Sequence, residues 1–222
     1  MLRIIVFATA LTFTSWAHAD SPWFWEIQST DIQLINESTS ANMAVDYDCV
    51  SLAGNPLTGD VSWDDIVNIG KKAWEIIEAG KPVSHIETPT ANALPRGIQC
   101  WNNLEHWQAP KVQTYQVVYK NGFGMEVVRF NFRLQYTYGG GKAEKGQYLA
   151  NVTILPSELN VSWGYNFDAR VEVQPAVNVG TQENPIAGLE LNLRWTVKTV
   201  LKTSENSFHF FVQGDGVSQS VN

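Results

Sequence analysis

From residue 110 onward, apolar and polar residues alternate over long runs. In LNVSWGYNFDARVEV, Leu159, Val161, Trp163, Tyr165, Phe167, Ala169, Val171 and Val173 are separated by Asn160, Ser162, Gly164, Asn166, Asp168, Arg170 and Glu172. The same rhythm recurs through Val128, Phe130, Phe132, Leu134, Tyr136 and Tyr138, and again through Leu189, Leu191, Leu193, Trp195 and Val197. A period of two sends successive side chains to opposite faces of a strand, so each run predicts one buried and one wetted face, as antiparallel sheets allow. VQTYQVVY (112–119) and YLANVTIL (148–155) are shorter strand candidates. The punctuation agrees. Asn121-Gly122 is a tight-hairpin pair, GGGKAEKG (139–146) reads as a longer flexible loop, TQENP (181–185) and SENS (204–207) separate strands, and QGDG (213–216) closes the last. About six strands after residue 110, with one or two before residue 50, predict a mainly β fold, an antiparallel β-sandwich.

One stretch breaks that rhythm. In SWDDIVNIGKKAWEIIEAGKP (62–82), Trp63, Ile66, Val67, Ile69, Ala73, Trp74, Ile76 and Ile77 fall on one half of a helical projection, and Asp64, Asp65, Asn68, Lys71, Lys72, Glu75 and Glu78 on the other. Ser62 with Asp65 three residues later resembles a capping box, and Gly80 with Pro82 reads as a stop. The pattern predicts one amphipathic α-helix at about 62–79, packed against a sheet. Its acidic polar face does not suit an interfacial membrane helix, which displays Lys and Arg there.

The chain begins MLRIIVFATALTFTSWAHA. Arg3, an apolar run too short for the roughly 20 residues of a membrane span, and Ala17-His18-Ala19 predict a signal peptide over 1–19, removed before Asp20. Residues 20–222 are then expected as a single exported domain, periplasmic or secreted, long enough to bury a full core. Cys49 and Cys100, the only two cysteines, predict one structural disulfide in an oxidising compartment. The formal net charge of −7, more acidic still without Arg3, argues against nucleic acid as a partner and against simple attraction to anionic lipid.

Catalytic patterns are missing. No G-x-S-x-G, H-E-x-x-H or Gly-x4-Gly-Lys-[Ser/Thr] occurs, and GGGK at 139–142 lacks the phosphate-loop spacing. His85, His106 and His209 are scattered, and His209 alternates with Phe208 and Phe210 as a wet-face residue would. DYDC (46–49) and GDG (214–216) carry oxygen ligands but read as solvated turns. Glu126, Asp168, Glu172 and Glu190 lie on strands, with nothing in the sequence to pair any two of them. Asn36, Asn151 and Asn160 open N-glycosylation acceptor patterns, of which Asn36 is the comfortable one. No metal and no cofactor is implied.

Two features carry binding chemistry. The start of the mature chain, DSPWFWEIQ, places Trp23 and Trp25 where they would stack on a ligand or anchor a terminal strand. Arg129-x-Asn131-x-Arg133-x-Gln135 puts guanidinium forks and amides on one polar face. The leading expectation is therefore an exported, non-enzymatic binding module for a glycan, small molecule or protein, with Trp23, Trp25, Arg129 and Arg133 as ligand-binding candidates. The alternatives are a membrane-acting or pore-forming protein and a hydrolase with an unfamiliar site.

Overall fold

A computed structural model describes residues 21–39, 61–83, 88–98, 100–143 and 145–221. The expected signal peptide (1–19), Cys49, DYDC and His85 lie outside the described residues. A four-residue helix, α1 (Pro22–Trp25), is followed by β1 (Ile27–Thr39), β2 (Ser62–Asn68), β3 (Ala73–Glu78), β4 (Lys81–Pro82) and β5 (Ala91–Arg96). The long strands then follow as β6 (Lys111–Asn121), β7 (Glu126–Lys142), β8 (Lys145–Val161), β9 (Asn166–Val173), β10 (Val177–Asn178), β11 (Ala187–Lys198), β12 (Thr203–Gln213) and β13 (Ser218–Val221). They form two antiparallel sheets, ordered β1-β6-β7-β8-β5-β2 and β13-β12-β11-β9-β3-β4, with β10 beside β11.

The alternating residues make the core. Val128, Phe130, Phe132, Leu134 and Tyr136 of one sheet are buried against Leu189, Leu191, Leu193, Trp195 and Val197 of the other. Aromatic rings stitch the layers: Phe130 lies 5.0 Å from Phe167, Tyr115 lies 5.1 Å from Phe210, and Trp195 Nε1 donates to the Tyr119 hydroxyl at 2.6 Å. Inward-facing rows from two sheets that interdigitate are what a sandwich requires.

The expected helix at 62–79 is not formed. Residues 62–68 and 73–78 are strands, in different sheets, joined by a corner at Ile69–Lys72. Gly70 at that corner has φ 136°, far from helical, and a Cβ there would lie 2.5 Å from the Thr90 carbonyl. The corner is held by Ile69 N to Asn92 O (2.8 Å), Lys71 N to Thr90 O (2.9 Å) and Asn92 Nδ2 to Ile69 O (2.8 Å). The helical period is a product of bulges. Register shifts between Ser62 and Ile66, and between Glu75 and Ile77, bring the apolar pairs Ile66-Val67 and Ile76-Ile77 out of strict alternation. The supposed stop at Gly80 is a hairpin turn, in which Ala79 and Gly80 both have positive φ (48° and 73°), as a two-residue type I′ loop needs.

Three other expectations are revised. LNVSWGYNFDARVEV is a hairpin and not one strand, with β8 ending at Val161 and β9 starting at Asn166. SENS lies inside β12, and the turn falls just before it, around Thr199–Lys202. Gly139, Gly140 and Gly141 belong to β7, where a Cβ on Gly140 would meet the Trp107 ring at 2.3 Å, so their smallness serves packing and not flexibility. Asn151 is buried on β8, whereas Asn36 and Asn160 are exposed.

Candidate functional site

At one end of the sandwich, α1 meets three hairpin turns, β6–β7, β8–β9 and β11–β12. Pro22 opens α1, and Phe24 N donates to Ser21 O at 2.9 Å, closing a single turn. The helix is stapled to its neighbours through backbone carbonyls. Gly122 N donates to Trp23 O (2.9 Å), Asn121 Nδ2 to Phe24 O (3.4 Å), the Tyr165 hydroxyl also to Phe24 O, and Thr199 Oγ1 to Trp25 O (3.4 Å). Burial pushes the Tyr165 phenol above its ordinary range.

Beneath the tips lies an aromatic floor. Trp25 is buried, with ring centroids 4.7 Å from Phe24, 5.9 Å from Tyr165 and 6.0 Å from Trp163. Gly164 (φ 82°) allows the β8–β9 turn to press on the Trp25 ring, which a Cβ would meet at 2.3 Å. Above that floor, large apolar side chains point to solvent. Trp163 is 78% exposed, Val200 74%, Leu201 64% and Trp23 56%, with Phe123 and Met125 each at 48%. The Trp23 and Phe123 rings stand 6.3 Å apart. The other exposed large hydrophobics among the described residues, Leu34, Ile35, Val177, Val179 and Val217, are scattered along β1 and towards the opposite end.

The turns themselves are closed. Asn121 Oδ1 accepts from Phe123 N (3.0 Å) and Met125 N (3.1 Å), while Thr199 Oγ1 accepts from Leu201 N (3.3 Å) and Lys202 N (3.0 Å). Thr199 N also donates to Lys202 O at 2.8 Å. Short polar side chains that bond the following amides are a common way to fix such turns. Two acids nearby are paired: Glu126 with Arg129 through two bonds (2.7 and 2.5 Å), and Asp168 with Lys198 at 3.4 Å. Arg129 holds the Glu126 carboxyl below the usual carboxylate range.

The four residues singled out from the sequence are therefore separated. Trp23 is an exposed member of this end, whereas Trp25 anchors it from inside the core. The Arg129 fork is occupied by Glu126. Arg133, exposed, sits mid-strand opposite Thr114 and Leu155, away from the tips. Asn131 between them is buried, with its Nδ2 donating to Glu158 Oε2 at 2.6 Å. Phe123, Met125, Trp163, Val200 and Leu201 escaped the sequence reading. Their signal was present as large apolar residues inside turn sequences, NGFGM, SWGY and TVLKT, but strand alternation alone had claimed Trp163 for the core.

Several titratable groups elsewhere are engaged with one another. On the outer face of the second sheet, Glu172 accepts from Arg170 (2.5 Å) and lies 3.3 Å from Arg194, and His209 Nδ1 lies 3.2 Å from Glu190 Oε1. Each carboxylate considered for hydrolysis thus faces a cation or an imidazole, and not a second carboxylate. No three His, Cys, Asp or Glu side chains among the described residues gather as a metal cage. Compared with known protein families, curated proteins and solved structures, the chain matches none.

Proposed function

We propose that this chain is an exported, non-enzymatic binding module that meets its ligand through the aromatic end of the sandwich. One observation carries the reading: six large apolar side chains, from α1 and three separate turns, are left in water together at that end. Exposing them costs free energy, on the order of 1.5–3 kcal/mol for each side chain that could otherwise be buried. Clustered exposure of this kind marks an interaction surface, whereas single exposed apolar residues need no explanation. The support beneath it is stiff. Trp25 and Tyr165 pack under the tips, and α1 is tied by hydrogen bonds to each adjoining turn, so little ordering cost falls on binding.

The test is a binding screen over immobilised glycans, peptides and lipids, run with the wild-type chain and with Trp163→Ala and Trp23→Ala. Both variants remove exposed side chains, so their thermal midpoints are expected to stay within a few degrees of wild type. A ligand whose binding drops in both variants supports the reading. A ligand held equally by all three proteins, or no ligand at the highest soluble protein concentration, overturns it.

A further inference from the structure

We infer that the surface this end takes is the headgroup–acyl boundary of a lipid bilayer, on which the chain docks peripherally by its turn tips. The inference rests on the reading that the aromatic end is the binding end, and it names the partner. Three features of the end select a bilayer over a sugar or a peptide.

The first is the mixture of side chains. A sugar ring recruits aromatic faces, but Val200, Leu201 and Met125 offer it nothing, although Val200 and Leu201 are among the most exposed side chains of the end. Aliphatic tips gain by entering acyl chains, and tryptophans gain at the boundary itself, where an apolar ring body meets a polar layer. The second is the state of the backbone. The amides of Phe123, Met125, Leu201 and Lys202 are already bonded by Asn121 and Thr199 side chains. An uncapped amide entering lipid would cost several kcal/mol, so closed turns suit a medium without water. The same closure leaves those amides unable to bond a sugar hydroxyl or the edge of an added strand.

The third is charge. The whole chain carries −7, yet two acids near this end, Glu126 and Asp168, are paired with Arg129 and Lys198. Lys120 and Lys202 stand next to the β6–β7 and β11–β12 turns, with Glu26 following α1. Long cationic side chains beside an apolar tip can reach back to headgroup phosphates while their stems stay with the tip. The paired acids and the two lysines beside the tips soften the repulsion that an acidic molecule meets at a headgroup layer.

Co-sedimentation of the chain from Asp20 onward with phosphatidylcholine vesicles, and with vesicles containing a quarter phosphatidylglycerol, tests this directly. Brominated acyl chains serve as tryptophan quenchers in the same preparations. The variants are Trp163→Ala and the double change Val200→Ser with Leu201→Ser, with Val179→Ser as a control at an exposed apolar site away from the tips. The expected result is binding to both vesicle types, quenching by brominated lipid, and a fall in partitioning of about tenfold in each tip variant, with the control unchanged.

Absence of wild-type binding to either vesicle overturns the inference. If Trp163→Ala still weakens binding to a soluble glycan or peptide, only the lipid assignment falls and the binding end stands. If vesicles are bound equally by wild type and both tip variants, the end itself is not the docking surface, and both readings fall.

Discussion

Tyr119 shows how one buried hydroxyl joins the two sheets. Its oxygen accepts from Trp195 Nε1 at 2.6 Å and from Asn206 Nδ2 at 2.8 Å, deep in the core. Tyr119→Phe removes that acceptor and leaves an indole N–H buried without a partner. The expected loss is about 1–3 kcal/mol, read from urea unfolding. Tyr115→Phe should cost less, because that hydroxyl's bond to Gln113 Oε1 is long, at 3.4 Å, and Ser220, its other side-chain partner, is exposed. Burial also pushes the phenols of Tyr115, Tyr119, Tyr136, Tyr148 and Tyr165 above their ordinary range. Each is protonated in both folded and unfolded chains at neutral pH. Above about pH 10 the unfolded chain releases these protons while the folded chain keeps them, so stability falls as pH rises through the folded values. The urea midpoint should hold steady from pH 7 to about 9 and then decline, with a shallower decline in Tyr119→Phe.

At the scale of elements, residues 62–78 are decided by Gly70. Were the segment a helix, Gly70→Ala would raise stability by about 1 kcal/mol, since alanine is the better helix former. In the corner between β2 and β3, the new Cβ meets the Thr90 carbonyl at 2.5 Å with φ at 136°. The substitution should destabilise by roughly 1–3 kcal/mol, and the sign of the shift in thermal midpoint distinguishes the two. The misread period is instructive. A helix and a bulged strand both place apolar residues at spacings of three and four, so periodicity cannot separate them within one short run. Residue type could: Trp, Ile, Val and Asn are middling helix formers and, Asn apart, good strand residues. Long runs without bulges on their apolar side, such as β11, left no such ambiguity.

For the molecule as a whole, the two ends of the sandwich are built differently. At one, the sheets are drawn together by backbone bonds from Gly139 N to Gly214 O (2.8 Å) and Gln147 N to Pro185 O (2.9 Å). At the other, aromatic rings fill the mouth and apolar tips extend beyond it. Cys100 is buried beside the short 3-10 turn Trp101–Asn103, and its expected partner Cys49 falls outside the described residues. A bond between them would close a loop of about 50 residues and contribute on the order of 4 kcal/mol. Non-reducing peptide mapping should recover the cross-linked pair, and reductant should lower the urea midpoint correspondingly. Recovery of two unlinked cysteine peptides would refute the expected bond.

The sequence by itself determined the mainly β class and the inward rows of β7, β9 and β11, because a period of two maps directly onto the two faces of a strand. It also brought Trp23 forward as a binding candidate. Tertiary structure alone decided that residues 62–78 cross between sheets, since a corner depends on carbonyls at Thr90 and Asn92 that are distant in the chain. Tertiary structure likewise decided that Trp163 faces water while Trp25 does not. Trp25, Trp163 and the turns at 121–125 and 199–202 are local neighbours only after folding. Exposure belongs to that meeting of segments and not to any one of them.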